Sequence, residues 1–175
     1  MTVLLRAGTA AQEERCVELW CAALTARDGR PPREDTVERA RATLSVKRLS
    51  LVIAEEGVSC VGFALLLPAG SGFEADPPEA AHLALLAVDP RAQGAGVGRR
   101  LLAAVEERAA RVAPTVVLHV LTENASALAL YTSVGWRPLG TPVPHPLSGA
   151  SMLTLVRNLP AARRSRTGPR DTLSR

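Results

Sequence analysis

The chain has 175 residues, 47% of them hydrophobic and 3% aromatic, with a formal net charge of +4. That length builds one packed domain rather than two ordinary ones, and no window approaches the ~18 unbroken apolar residues of a membrane span. The opening Met1–Arg6 lacks the basic, apolar, small-residue order of a signal peptide. Cys16, Cys21 and Cys60 are odd in number and unclustered, which argues against a disulfide framework or a zinc site and for free thiols in a reducing cytosol. The basic excess lies in residues 161–175, where five arginines face Asp171 alone; the remainder is formally neutral. A solvated tail is therefore expected over 159–175, after a single domain over 1–158, and a basic nucleic-acid face is not. Lys47 is the only lysine beside many arginines and alanines, which points to a GC-rich bacterial genome.

In chain order, Thr2–Arg6 reads as a strand, and Thr9 with Gln12 as a capping box. The helix that follows sets Cys16, Leu19, Trp20, Ala23 and Leu24 on one face and ends at Asp28-Gly29. A charged second helix runs from about Glu34 to Leu44. Leu51–Ala54 and Val58–Leu67 form a hairpin about Glu55-Glu56-Gly57. After a loop over Pro68–Pro78, Ala81–Val88 is apolar apart from His82 and reads as a central strand. Val97, Leu101, Val105 and Ala109 form one face of the next helix, Thr115–Leu121 is a β-branched strand, and Asn124–Val134 is a helix closed by Gly135. Trp136–Val143 and Ser151–Arg157 complete about seven strands. The order predicts a mixed α/β (α+β) fold with a largely antiparallel central sheet flanked by helices.

Between the central strand and its helix lies Gln93-Gly-Ala-Gly-Val-Gly98. Strand, glycine-rich turn and helix start together present backbone N–H groups to phosphate. No Gly-Lys-Ser/Thr closes a nucleotide loop, and Arg99 stands where dinucleotide spacing needs a third glycine. What fits is a Gln or Arg with glycines three and five residues on. Gln93 with Gly96 and Gly98 satisfies it, as does Arg91 with Gly94 and Gly96; the first register leaves Asp89-Pro90 to end the strand. A second motif follows one helix and one strand later. Asn124 is an N-cap at a helix mouth, and Tyr131, the only tyrosine, lies two turns along the same face.

With these residues in place, the chain resembles the GCN5-related N-acetyltransferase (GNAT) superfamily over about residues 2–158. The resemblance rests on Ala87-Val88-Asp89-Pro90, on Gln93-x-x-Gly96-x-Gly98, and on Asn124 with Leu130-Tyr131 and Gly135-Trp136. It implies a splayed pair of parallel strands, Ala81–Val88 and Thr115–Leu121, with acetyl-CoA between them and no metal. Leu86, Ala87 and Val88 would pair with the pantetheine arm. Gln93, Gly94, Ala95, Gly96, Val97, Gly98 and Arg99 would hold the pyrophosphate, Asn124 would bond the arm, and Tyr131 would sit by the sulfur.

Acetyl transfer from a thioester needs a neutral amine, a donor for the oxyanion and a proton for the leaving thiolate. The resemblance makes the Val88 N–H the oxyanion donor and Tyr131 the general acid. His82, eleven residues before Gln93, is the first candidate for the base, with Glu79 and His119 behind it. The function expected is acetyl-CoA-dependent acetylation of a primary amine on a small molecule or a protein, in the cytoplasm; the oligomeric state is left open, a homodimer being common in the superfamily. The alternatives are a non-catalytic acyl-CoA sensor, which would not need Tyr131, and an arginine-tail nucleic-acid binder, which ranks last.

Overall fold

The computed structural model describes residues 2–160. Strand β1 (Val3–Ala7) leads through a 3₁₀ turn, where Gln12 Oε1 accepts from the Thr9 N–H at 2.9 Å, into helix α1 (Glu13–Asp28). Gly29 closes α1 with φ +68°, the left-handed conformation that glycine adopts without steric cost. Helix α2 (Glu34–Ser45) is followed by the hairpin β2 (Ser50–Glu56) and β3 (Ser59–Leu67), then by β4 (Ala81–Val88). The second half of the chain supplies α3 (Val97–Ala109), β5 (Thr115–Leu121), α4 (Ala125–Ser133), β6 (Arg137–Pro144) and β7 (Ser151–Asn158). The expected tail falls almost wholly outside the described residues. Leu159 packs against the core, and its N–H donates to the Pro114 carbonyl at 2.9 Å.

The seven strands form one open mixed sheet in the order β1-β2-β3-β4-β5-β7-β6. Only β4 and β5 are parallel neighbours; every other pair is antiparallel. Strand alternation divides the core in two. On one face Val52, Ala64, Leu83, Val116 and Leu118 meet the apolar stripe of α3, Val97, Leu101, Leu102, Val105 and Ala109, all buried. On the other, Ile53, Phe63 and Leu65 meet Cys16, Val17 and Leu19 of α1 and Leu44 of α2. The charged helix α2 is thus anchored in the core through a fully buried leucine, a stronger attachment than its composition suggests. Gly62 lets α3 approach β3: a Cβ there would lie 3.0 Å from Leu101 Cδ1 and 3.2 Å from the Ala87 carbonyl oxygen.

The sheet is discontinuous at its centre. β4 and β5 pair only at Ala81–Val116 and His82–Val117. Beyond His82, β4 stays bonded to β3 but separates from β5. The register with β3 shifts there, Leu65 opposite Leu85 and Leu66 opposite Leu83, so Ala84 is an extra residue on β4. A bulge of this kind bends its strand, and this one stands where the two strands begin to diverge.

Candidate active site

The divergence leaves one edge of β4 without a strand partner, and hydrogen-bond parity says which groups line it. The Asp89 N–H donates to the Val61 carbonyl at 2.9 Å. In an antiparallel ladder the bonded and non-bonded pairs alternate. Ala87 therefore turns its backbone groups toward β3, and Leu86 and Val88 turn theirs into the cleft beside β5. The Gln93 amide donates to the Val88 carbonyl at 3.3 Å, which leaves the Val88 N–H as a free donor at the end of the strand.

The glycine loop is built on that end. Asp89 accepts from the Arg91 N–H at 2.9 Å and from its guanidinium at 2.7 Å, which fixes the 3₁₀ turn Pro90–Ala92 and holds the Asp89 carboxyl below its ordinary range. Gly94 and Gly96 have φ of +78° and +80°, and a Cβ on either would meet open space. These two glycines are needed for conformation and leave the loop surface uncovered. Gly98 serves another purpose: a Cβ there would lie 2.9 Å from Leu130 Cδ2 and 3.7 Å from Val88 Cγ2. It lets the first turn of α3 meet α4 and the end of β4. The Arg100 N–H is bonded to the Gly96 carbonyl at 3.1 Å, so the amides of Val97, Gly98 and Arg99 precede the first helical bond and point out of the helix mouth. The Arg99 guanidinium reaches Ser133 of α4 at 3.2 Å.

Asn124 caps α4. Its Oδ1 accepts from the Ala127 N–H and the Ser126 hydroxyl, both at 3.2 Å. The carbonyl end is therefore engaged by the helix and the amide nitrogen remains for a ligand. Tyr131 is 8% exposed and packs into the α3-side core. Burial pushes its phenol up to about 12. Its hydroxyl bonds no other described residue, yet Thr115 Oγ1 is the only sealed, unpartnered side-chain oxygen or nitrogen among the described residues.

The opposite face of the sheet carries the histidines. The His82 ring nitrogen Nδ1 lies 3.2 Å from the Ser71 carbonyl, which can only accept, so Nδ1 bears the proton and Nε2 the lone pair. Burial, and then His119, hold the His82 imidazole down at about 4. His119 lies with its ring centroid 5.0 Å from that of His82 and 4.2 Å from that of Phe73. Its Nε2 stands 3.0 Å from Asp76 Oδ1. A groove of about 600 Å³ opens beside this cluster, between the β3–β4 loop and the β6–β7 hairpin. Phe73, Glu74, Asp76, Leu139, Met152 and Thr154 are among its lining residues.

The structure sets Leu86 and Val88 on the open edge of β4, the loop Gln93 to Arg99 at the end of that strand, Asn124 at the mouth of α4 and His82 in the last β4–β5 pair; Ala87, expected to pair with the pantetheine arm, instead turns its backbone to β3 and is buried. The Asp76–His119 pairing is not visible in sequence, where the partners stand 43 positions apart. The one available sign is that both histidines interrupt otherwise apolar strands.

The family model described as the acetyltransferase (GNAT) family matches residues 13–136. Among characterised proteins, N-alpha-acetyltransferase RimI of Mycobacterium tuberculosis (strain ATCC 25618 / H37Rv) is 34% identical over 157 residues, covering 89% of this chain and 92% of that one. In fold, the chain is similar to yncA of Salmonella typhimurium, solved with its cofactor acetyl-CoA, at a TM-score of 0.68 and 18% identity, covering 91% and 95% of the two chains. It is also similar to the Escherichia coli ribosomal-protein-S18-alanine N-acetyltransferase, at 0.66 and 20%, covering 96% and 99%.

Proposed function

The chain belongs to the GNAT acetyltransferase family and is an acetyl-CoA-dependent N-acetyltransferase, and on that premise we propose that its acceptor is the N-terminal α-amine of a polypeptide. The observation that carries this reading is the open groove of about 600 Å³ beside the cleft vertex. Its lining of Phe73, Leu139, Val143 and Met152 suits the side chains of a short peptide end, and Glu74 at its rim suits an ammonium group. The extended likeness to RimI, an N-alpha-acetyltransferase, supports the same acceptor class.

Acetyl-CoA, when bound, supplies the activated acyl group; the chain's residues orient it and manage protons. The Leu86 and Val88 backbone groups suit the arm as a strand-like partner, and the Val88 N–H on that open edge suits the thioester oxygen as negative charge develops on it. The amides of Gly94 to Arg99 suit the pyrophosphate, and the Asn124 amide nitrogen suits an arm carbonyl. The acceptor ammonium loses a proton toward the histidine pair at the vertex, His82 and His119. Its nitrogen then forms the new C–N bond, the C–S bond breaks, and Tyr131 donates to the departing sulfur.

The test is thiol release from acetyl-CoA with peptides beginning in different residues, alongside free amino acids and aminoglycosides. Turnover confined to peptides, with the mass increment on the α-amine, supports the reading; turnover confined to small amines removes it. Homodimer formation and cytoplasmic residence belong to the same reading, and light scattering and cell fractionation check them.

A further inference from the structure

The register between β6 and β7 breaks at the groove. Leu139 pairs with Thr154, and Val143 pairs with Met152. Between those pairs β6 has three residues, Gly140, Thr141 and Pro142, while β7 has Leu153 alone. Two residues of β6 are therefore extra, a bulge, and none of the three has a partner on β7. β6 is also the outer strand of the sheet, so no strand lies on its other side. Among the described residues, no turn or loop hydrogen bond reaches the Gly140 or Thr141 backbone either.

Gly140 and Thr141 line the groove, together with both flanking pairs. Gly140 has φ +76°, and a Cβ there would meet open space. Glycine is thus required for the turn of the backbone, and its amide and carbonyl stay uncovered. Bare main-chain groups on a groove wall are free to bond a ligand. Pro138, Pro142 and Pro144 remove three donors from the same strand, so β6 cannot take a long added strand. What is left is a short window, matched to a chain end. The charge of the groove suits the same occupant: its ionisable side chains are Glu74 and Asp76, and no cation lines it among the described residues.

We propose that the Gly140–Thr141 bulge is a main-chain reading site, whose unpaired N–H and C=O groups bond the first peptide groups of the acceptor. The inference rests on the peptide-acceptor reading above and adds how a peptide is told from a free amine. Phe73 on the loop side, with Leu139 and Met152 beside the bulge, offers apolar contact that tolerates many side chains. The bulge instead requires a peptide bond at a fixed place. A small amine makes the apolar and ionic contacts and lacks these bonds.

The experiment measures binding of the peptide panel to the chain loaded with coenzyme A, by calorimetry, alongside turnover by thiol release. The tightest-binding peptide is then remade with its first, and separately its second, peptide bond changed to an ester. One of the two esters should bind ~3–10-fold more weakly, the value of a single hydrogen bond. Removing Gly140 and Thr141 restores one-for-one pairing of β6 with β7. That variant should lose the ester penalty, bind the parent peptide ~10-fold more weakly and keep its affinity for coenzyme A. Gly140→Val, which forces a β-branched side chain to φ +76°, repeats the comparison where the deletion fails to fold. Both esters binding within about twofold of the peptide overturns the proposal, as does a bulge deletion that leaves peptide affinity unchanged. Peptides bound through the bulge but never acetylated remove the acceptor reading and leave the site standing. Peptides acetylated with no ester penalty remove the site and leave the acceptor reading. Peptides neither bound nor acetylated remove both.

Discussion

Tyr131 and Trp136 are joined twice. The Trp136 N–H donates to the Tyr131 carbonyl at 3.1 Å, and their ring centroids lie 6.0 Å apart at 52°. With the Gly135 N–H on the Thr132 carbonyl at 3.1 Å and Gly135 at φ +91°, this is a Schellman closure of α4, complete with its apolar contact. The motif that ends the helix therefore also fixes the Tyr131 ring. Tyr131→Phe keeps every one of these contacts. It should melt with the parent and bind coenzyme A as well, yet lose ~10²–10⁴ in kcat. Steady-state kinetics with calorimetry check both halves of that statement. Because burial holds the phenol at about 12, the parent's kcat should show no loss from tyrosine ionisation near pH 10, where an ordinary phenol titrates; a rate profile extended to that pH reads it.

Trp136 is also tied through its indole. Nε1 donates to Glu106 Oε1 at 2.9 Å, while Arg157 Nε donates to Oε2 at 3.2 Å. One carboxylate of α3 thus holds the start of β6 and the end of β7. Glu106→Ala leaves a fully buried indole N–H without its acceptor, and should cost ~2–3 kcal/mol. Glu106→Gln, which can still accept one bond, should cost less. Urea unfolding of the two variants measures the difference.

The three loop glycines should respond differently to alanine. Gly94→Ala and Gly96→Ala meet no neighbour but force a side chain to φ near +80°, at ~1–2 kcal/mol each. They should also raise KM for acetyl-CoA, since relief of that strain moves the loop. Gly98→Ala has helical φ and gains up to ~1 kcal/mol of propensity, against a 2.9 Å approach to the movable tip of Leu130. Its melting temperature should lie closer to the parent's than that of either neighbour.

Stability should also depend on pH through His82. The folded chain keeps this imidazole neutral down to about 4, whereas the unfolded chain binds its proton near ~6.5. Between those values the unfolded state holds more protons, so stability is complete above ~6.5 and falls as pH drops toward 4, by ~3 kcal/mol in all. The carboxyls of Asp28 and Asp89 are lowered from 3.8 by their arginine partners and act below that window. His82→Gln should flatten the loss between pH 6.5 and 4 in urea titrations.

Local patterns carried most of the architecture. The α3 stripe, the Asn124 cap, the Gly135 closure and the apolar run of β4 are each written in a few consecutive residues, and each matches an observed element. The conformation of the glycine loop and the Asn124 cap was legible for the same reason, since both lie on short motifs. The cluster beside the groove was not. Asp76, His119 and Thr154 come from a loop and two strands, and only tertiary folding brings them together. α2 misleads for a related reason: its charges describe its outer face, while Leu44 alone carries the anchor. The three glycines look equivalent in sequence, yet two serve backbone conformation and the third serves helix contact.

The break between β4 and β5 coincides with a break in the chain. Strands β1 to β4, all before Asp89, build one half of the sheet, β5 to β7, all after Pro114, build the other, and the stretch between them contains the glycine loop. A ligand held in the cleft and gripped by that loop touches both halves and the joint between them. Occupancy and the mutual alignment of the halves are then one equilibrium, and the protein's resistance to unfolding becomes a measure of how much coenzyme surrounds it.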